Sequence, residues 1–307
     1  MNLRQLGYFV RVAEMHNMTR AAETLHVAQP ALSQQIALLE EELEIRLFDR
    51  EPKGVRLTAE GELLLRHAHT ILRQVGATRS ILTRTAGDVV AGSVSIAMAS
   101  STARILALPL LRAVKRQYPA IVVEIVDIPS ADLTLMVQQG RVDFSLSPDQ
   151  EELNDLITQP LLVEEILLLI HPSVQLPKGP VPITELARLP MILPRPPNKL
   201  RMRIDYAFMN ARLTYNLLAQ ASTSAILIPS VVEGMATTIL PYSAAYREIH
   251  DRTIVPRHLD PRLSREIRLC FNKNAPVLPA VEKVMELTRT TVSTLIESGH
   301  WRYCTLV

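Results

Sequence analysis

Proline is distributed unevenly along this chain and divides it into two parts. Of the 21 prolines, only Pro30 and Pro52 precede residue 100. Because proline interrupts helices and favours turns, the first third is predicted to form short helices. The remainder is predicted to mix strands and helices with proline-containing loops. A length of 307 residues with 48% hydrophobic residues is enough for about two domains, each with its own core.

The cysteine content and the hydropathy pattern restrict the class of protein. Cys270 and Cys304 are the two cysteines, and neither lies in a C-x-x-C motif. This excludes a disulfide framework or a four-thiolate metal site and indicates a reducing compartment. The sequence contains neither a secretory signal nor a stretch of about 20 apolar residues. We therefore expect a soluble, cytoplasmic protein with no membrane partner, no metal and no cofactor.

Three short helices are predicted at the start of the chain. The first ends near His16-Asn17, and the second begins with Thr19 as its cap. The third begins at Pro30, whose fixed φ suits the first position of a helix. Its buried side consists of apolar residues at helical spacing, namely Leu32, Ile36, Leu39 and Leu43.

The outward side of the third helix changes character along its length. Beside Pro30, its first two turns carry Gln29, Ser33 and Gln34, whose amide and hydroxyl groups can read base edges in the DNA major groove. Acidic residues follow from Glu40 onward, and phosphate would repel them. The pattern predicts a helix-turn-helix in which only the first half of this helix enters the groove. An ordinary amphipathic helix with a solvated polar side is the alternative.

A hairpin with a basic tip is predicted next. Residues 47–50 and 55–58 are partly alternating segments joined by a Pro/Gly turn. Arg50, Lys53 and Arg56 would lie along phosphates or reach the minor groove, with a solvated turn as the alternative for each. The first 60 residues hold seven Arg or Lys and nine Asp or Glu. For DNA binding, the position of the basic residues therefore matters more than the total charge.

A dense set of motif residues lies between residues 8 and 61. They are Thr19, Ala21-Ala22, Gln29-Pro30-Ala31-Leu32-Ser33, Leu39-Glu40, Leu43, Leu47-Phe48, Arg50, Gly54, Leu57-Thr58 and Gly61. This stretch resembles the winged helix-turn-helix of LysR-type transcriptional regulators, especially those of the nitrogen assimilation control branch. The resemblance implies base reading by the early third helix and backbone contacts by the wing. The implied partners are double-stranded promoter DNA and RNA polymerase.

A long helix is predicted to follow, opened by Thr58 with Glu60 and Glu62 in its first turn. A heptad seam runs along it at Leu64, Ala68, Ile71, Val75, Thr78, Leu82 and Thr85. The seam predicts self-association, which would require an inverted-repeat DNA site. Packing against the chain's own first domain is the alternative. The resemblance likewise implies dimers through this helix, commonly assembled into tetramers.

Strands alternate with helices from residue 92 onward and predict a parallel sheet covered on both faces. The motif residues here are Gly92-Ser93-Val94-Ser95-Ile96, Leu108-Pro109-Leu110-Leu111, Tyr118-Pro119, Gly140-Arg141-Val142-Asp143, Leu200-Arg201, Gly234 and Ile239-Leu240-Pro241. They resemble the effector-binding domain of the same family, a periplasmic-binding-protein-like fold of two α/β lobes. The predicted organisation is a DNA-binding domain (1–58), a linker and dimerisation helix (59–88) and an effector domain (92–307). Lobe I would comprise 92–162 and 268–307, and lobe II 163–267.

An effector cleft is expected where strand ends meet helix N-termini. Ser100, Ser101 and Thr102 follow the first strand of this domain, and Arg195 and Thr223 would face them from the second lobe. Helix capping or an ordinary surface charge is the alternative for each of these residues.

Motifs for enzyme chemistry are absent from the sequence. It has no P-loop, dinucleotide fingerprint, H-E-x-x-H or G-x-S-x-G motif. His67 and His69, two apart on a helix, face different directions. We therefore predict a metabolite-responsive transcriptional regulator with no catalytic residues: an all-α winged helix-turn-helix joined to an α/β domain. The alternative is a small-molecule-binding protein whose N-terminal helices serve only oligomerisation.

Overall fold

The structure, a computed structural model, describes residues 1–51, 54–82, 90–150 and 152–307, without the side chains of Arg50, Arg73, Ala77 and residues 79–82. Its contacts define two units, residues 1–93 with 138–141, and residues 94–137 with 142–307. Within these described ranges, no helix is long and apolar enough to cross a membrane.

The first unit consists of helices and a hairpin. Its elements are α1 (Leu3–Met15), α2 (Met18–Thr24), α3 (Gln29–Leu43), β1 (Phe48–Glu51), β2 (Gly54–Leu57) and α4 (Ala59–Leu82). The three short helices and the hairpin agree with the sequence prediction. Leu32, Ile36 and Leu39 are all at most 2% exposed, and they pack with Phe9 of α1 in one core. Ala21 and Ala22 of α2 are also buried there, since small side chains let helices approach closely.

The start of α2 differs from the prediction. Asn17, not Thr19, is the cap, because its side-chain oxygen accepts a hydrogen bond from the Arg20 backbone N–H at 3.0 Å. Thr19 therefore lies within the first turn of the helix and is only partly buried. Both residue types cap helices well, so the sequence alone did not distinguish two positions this close.

The hairpin is fixed to the helices at two glycines. Gly54 has a φ of +149°, and a Cβ there would clash with the carbonyl oxygen of His16, at the turn between α1 and α2. A Cβ on Gly61 would clash with the carbonyl oxygen of Leu47. Thr58 caps α4, as predicted, by accepting a hydrogen bond from the Gly61 N–H at 3.0 Å.

The predicted seam of α4 lies partly inside its own unit. Ala68 is fully buried, and Leu64 and Ile71 are partly buried against the same core as Phe9. This is the packing that the sequence analysis gave as the alternative to self-association. Val75 is partly buried and Thr78 is hydrogen-bonded to the Gln74 carbonyl. The side chain of Leu82 and the whole of Thr85 lie outside the described residues.

The second unit is a mixed α/β structure. Its principal elements are β3 (Gly92–Met98), α5 (Ser100–Gln117), β4 (Ile121–Asp127), α6 (Leu133–Gln138), β5 (Phe144–Pro148), β6 (Leu156–Ile170), β7 (Val181–Pro182), α7 (Ile183–Leu186), β8 (Pro190–Pro194), α8 (Lys199–Asn210), β9 (Asn216–Ala221), α9 (Ser224–Val232), β10 (Thr238–Pro241), a 3-10 turn (Tyr242–Ala244), α10 (Tyr246–His250), β11 (Val255–Arg257), β12 (Leu259–Asp260), β13 (Leu263–Asn272), α11 (Pro279–Glu297) and β14 (Cys304–Leu306).

The main sheet is mixed, not parallel as the sequence predicted. Its strand order is β10-β6-β13-β5-β3-β4, and β11 and β14 also pair with β6. β3 and β5 are parallel, whereas β13 is antiparallel to both β5 and β6. The antiparallel part comes mainly from β6 and β13, which lie side by side and run in opposite directions along most of their length. A second, parallel pair joins β8 to β9.

The register of β6 and β13 is interrupted once. It shifts between Ile267 and Arg268, which face Leu162 and Pro160 of β6. A bulge of this kind bends a strand pair. It lies beside the positions at which the sequence analysis divides the two lobes, and the lobe boundaries themselves stay a prediction.

Substitution of the helical glycines tests the packing of the first unit. Gly61→Ala is expected to destabilise it by about 1–3 kcal/mol, because the new methyl group meets the Leu47 carbonyl oxygen. Gly7→Ala is the matched control, since nothing lies within 4 Å of a Cβ there, and it should stabilise α1 by about 0.5–1 kcal/mol. Urea unfolding followed by circular dichroism measures both. A Gly61→Ala protein as stable as the parent would contradict this close approach.

Candidate nucleic-acid interface and ligand cleft

The outward side of α3 is polar and uncovered over its first half. Gln34 and Ala37 are exposed on the side opposite the buried Leu32, while Gln29 and Ser33 lie at its flank. An α-helix of this kind fits the width of the DNA major groove, and amide and hydroxyl side chains can bond to base edges there. The predicted base-reading residues, Pro30 among them, therefore share one accessible surface.

Glu40 has a structural part that the sequence analysis missed. Its Oε1 accepts hydrogen bonds from the backbone N–H groups of Leu47 at 2.7 Å and Phe48 at 3.2 Å, at the entry to the hairpin. The carboxylate thus faces the hairpin backbone, a structural role in addition to the predicted repulsion of phosphate. Glu41 remains exposed on the outward side of the helix.

The hairpin has at least one basic side chain exposed to solvent. Arg56 of β2 is exposed and faces Asp49 of β1 in the strand register. The side chain of Arg50 and the whole of Lys53 lie outside the described residues. Of the three predicted basic residues, Arg56 is the one whose side chain lies within the described part of the chain.

The second unit contains a cleft at the C-terminal ends of β3 and β8. Ser100 and Ser101 of α5 line it from one side, and Thr223, next to α9, lines it from the other. None of the three caps a helix through its side chain, because the capping positions of α5 and α9 show no side-chain bond. Ser100 instead donates to Asp127 at 2.5 Å.

Two predicted cleft residues lie elsewhere. Thr102 is completely buried and does not line the cleft, because each helical residue turns about 100° from the one before. Arg195 is exposed, and its Nε donates to the Pro196 carbonyl at 3.5 Å. The side chain before it, Pro194, lines the cleft. Successive residues at a strand end point in opposite directions, which turns Arg195 away.

The buried cation that lines the cleft is Arg265 of β13. It is 7% exposed, and its Nε donates to Glu164 Oε1 at 2.7 Å while its Nη2 donates to Ser101 Oγ at 2.8 Å. The second oxygen of the fully buried Glu164 accepts from Ser243 Oγ at 2.9 Å and Trp301 Nε1 at 3.3 Å. Both charged groups thus have partners, as a buried charge requires.

A sequence feature marks this missed pair. Arg265 occupies the apolar phase of β13, since Ile267 and Leu269, two and four residues later, are completely buried. Glu164 likewise interrupts the apolar run of β6. A charge in an apolar phase calls for a buried partner, and the strand register places these two residues opposite each other.

The start of α8 joins the two sides of the cleft. Asn198 Nδ2 donates to Ser130 Oγ at 3.3 Å, and Lys199 Nζ donates to the Asp149 carbonyl at 2.7 Å. Arg203 also lies 3.1 Å from the Asp149 carboxylate. These contacts bridge the rim of the cleft, whose cavity measures about 60 Å³.

The two cysteines are unsuited to fast thiol chemistry. Burial raises the pKa of the Cys270 thiol to about 11, and burial together with the nearby Glu164 raises the pKa of the Cys304 thiol to about 12. The reactive form is the thiolate, so both side chains stay protonated near neutral pH. Over the described residues, no group of three or more His, Cys, Asp or Glu is arranged to hold a metal ion.

Charge removal tests the buried pair. Arg265→Met leaves the Glu164 carboxylate buried without its cation and is expected to lower the free energy of unfolding by about 3–5 kcal/mol. The double variant Arg265→Met/Glu164→Leu should recover most of that loss, because an apolar pair needs no ionic partner. Urea unfolding of the single and double variants measures both effects. A double variant no more stable than Arg265→Met would refute this account.

Comparison with known proteins identifies the family. Residues 3–62 match the model of the bacterial regulatory helix-turn-helix protein, lysR family, and residues 87–293 match that of the LysR substrate binding domain. The nitrogen assimilation regulatory protein nac of Escherichia coli K12 is 32% identical over 306 residues, covering 98% of this chain and 99% of that protein. Nac of Klebsiella aerogenes is also 32% identical, covering 95% and 96%.

Solved structures agree on the fold. A full-length OxyR variant from Pseudomonas aeruginosa superimposes with a TM-score of 0.68 at 22% identity, covering 95% of this chain and 97% of that one. Both family models match the chain, and the two Nac relatives match it over nearly its whole length. It belongs to the LysR family of bacterial regulatory helix-turn-helix proteins and is a DNA-binding transcriptional regulator of the LysR type.

Proposed function

We propose that this regulator binds inverted-repeat promoter sites through α3, as a dimer or tetramer, and that a small metabolite in the cleft of its second unit adjusts its activity. The observation that carries the proposal is that the first half of α3 exposes a polar side to solvent while its opposite side is buried in the hydrophobic core. Family membership favours this function over that of a small-molecule-binding protein whose N-terminal helices serve only oligomerisation.

Base reading is assigned to the first two turns of α3. Gln34, being exposed, would form bidentate hydrogen bonds to adenine, with Ser33 and Gln29 at its flank and Pro30 in van der Waals contact. Thr19, in the first turn of α2, would contact the backbone. Arg56, with Arg50 and Lys53 of the wing, would contact phosphates. The proposed DNA-binding domain is residues 1–58.

Dimerisation is assigned to α4, within the proposed linker of residues 59–88. Ala68 is fully buried in its own unit, and Leu64 and Ile71 are partly buried there. They would fix the helix to the DNA-binding domain and leave the later seam, at Val75 and Leu82, for the partner. A helix of 24 residues is about 36 Å long, comparable to the spacing of half-sites one DNA turn apart.

Substitution on α3 tests the DNA-binding surface. Gln34→Ala is expected to weaken binding to a duplex selected by the parent protein by about 1–3 kcal/mol and to relax the preference at one base pair of each half-site. Ser33→Ala should act in the same direction but less strongly. Mobility shifts measure affinity, and sedimentation checks that assembly is intact. Unchanged affinity and sequence preference in both variants would refute α3 as the reading helix.

The effector cleft is proposed in the domain of residues 92–307. In this proposal lobe I comprises residues 92–162 and 268–307, and lobe II comprises residues 163–267. Ser100, Ser101 and Thr223 line it, whereas Thr102 and Arg195 are no longer assigned to it. Its cavity of about 60 Å³ is well below the roughly 150 Å³ that accommodates benzene. A metabolite would therefore bind an opened cleft and shift the population between closed and open lobes.

A bulky side chain in the cleft tests this site. Thr223 lines the cleft and makes no side-chain capping bond. An indole there exceeds the cavity of about 60 Å³, so Thr223→Trp is expected to keep the cleft from holding a ligand while each lobe stays folded. Metabolites that raise the melting temperature of the parent by several degrees should have no effect on the variant. Thermal shift against a metabolite panel measures this. Ser222→Ala, which changes another residue of the cleft lining without adding bulk, is the control. Equal shifts in parent and Thr223→Trp would refute the cleft assignment.

The remaining parts of the proposal follow from promoter binding. A promoter-bound regulator acts where RNA polymerase acts, so we assign it to the cytoplasm and propose polymerase as a partner. Its action is binding and assembly, with no catalytic step and no cofactor. Bound metabolite would favour one assembly geometry and so change DNA bending and access of the polymerase.

A further inference from the structure

The recognition helix lacks basic residues. From Gln29 to Leu43 it reads QPALSQQIALLEEEL, without a lysine or arginine. DNA carries one negative charge per about 1.7 Å of its axis, and affinity depends largely on cations that neutralise phosphates. The charge that holds α3 in the groove must therefore come from elements packed beside it.

A groove with polar side chains on both walls lies between α1 and α3. Asn2, Arg4 and Tyr8 line one wall, and Gln34 and Gln35 lie on the other. Gln34 is also the residue proposed to read bases. The groove thus connects the outward surface of α3 with the first turns of α1.

Arg4 has an uncommitted guanidinium group in this groove. Its side chain is exposed, and it has no hydrogen bond or ion pair within the part of the chain that the structure describes. It takes no part in the start of α1, because Asn2 and Gln5 form that capping box by themselves. By contrast, Arg11 on the same helix lies 3.3 Å from Glu14.

The acidic end of α3 is partly neutralised near the groove. Glu42 pairs with the amino group of Met1, and Glu40 is bonded to the hairpin backbone. Neither carboxylate bonds to Arg4. The charge of Arg4 is thus available to an outside anion.

We propose that Arg4 contacts a DNA backbone phosphate at the edge of the major groove that α3 enters, with Tyr8 and Gln35 lining the same site. An α-helix about 10–12 Å across fills a groove about 12 Å wide. Elements beside the helix therefore meet the phosphates. The inference rests on the proposed function, because α3 must be the helix in the groove.

The salt dependence of binding tests Arg4. The probes are a duplex selected by the full-length parent protein and a random-sequence duplex of equal length. Arg4→Ala is expected to weaken binding to both by a similar factor, about tenfold at low salt. The slope of log K against log salt should fall in magnitude by about 1.8, because a dimer loses two phosphate contacts. Arg4→Lys should restore the slope, since a phosphate contact needs only the charge.

Arg11→Ala is the matched control, because Arg11 lies on the same helix but is paired with Glu14; its slope should equal that of the parent. Melting temperatures of Arg4→Ala and Arg4→Lys should equal that of the parent, since Arg4 stabilises no described contact. An unchanged slope in Arg4→Ala would overturn the inference. Altered sequence preference at an unchanged slope would also overturn it, by making Arg4 a base reader. The Gln34→Ala result judges the proposed function separately.

Discussion

The second unit depends on the burial of one carboxylate. Glu164 is inaccessible to solvent, and its two oxygens accept hydrogen bonds from β13, the 3-10 turn and the segment after α11. An unpaired carboxylate in such a place would cost several kcal/mol. These elements must therefore pack around Glu164 together, with β6 and β13 in one strand register. Through Arg265 the same network reaches Ser101 at the start of α5, so the cleft wall is positioned by the interior of the domain.

In the first unit, one side of α3 is buried in the core while the other side stays exposed to solvent. Phe9, Leu32 and Leu39 fill the core, and Gly54 and Gly61 bring the hairpin against the helices. Glu40 then anchors the hairpin backbone to the end of α3. The outward surface of the first half of α3 is left with small and amide side chains, which suit direct contact with bases.

Local periodicity explains what the sequence could predict. The three helices, the hairpin and the buried Leu32, Ile36 and Leu39 follow from residues close together in the chain, and all agree with the structure. What the sequence could not predict depends on distant partners. Arg265 and Glu164 are 101 residues apart, and only the register of β6 and β13 brings them into contact.

Errors of a single residue also had large effects on the candidate site. Arg195 was assigned to the cleft, but the neighbouring Pro194 points there, because side chains alternate at the end of a strand. The same reasoning separates Thr102 from Ser101 at the start of α5. The predicted segments contribute to the lining of this cavity, and the direction of each side chain decides which residues face it.

The absence of lysine and arginine from α3 has a consequence for how the protein finds its sites in a chromosome. As the proposed reading helix, α3 brings no cations of its own to DNA. Attraction to random sequence, of which a chromosome offers on the order of 10⁶ or more competing sites, then depends on the flanking cations such as Arg4 and Arg56. A regulator with few phosphate-binding cations is expected to spend less of its time sliding along nonspecific sequence and more in free diffusion. Fewer molecules are sequestered, so a small number of copies suffices to occupy a promoter.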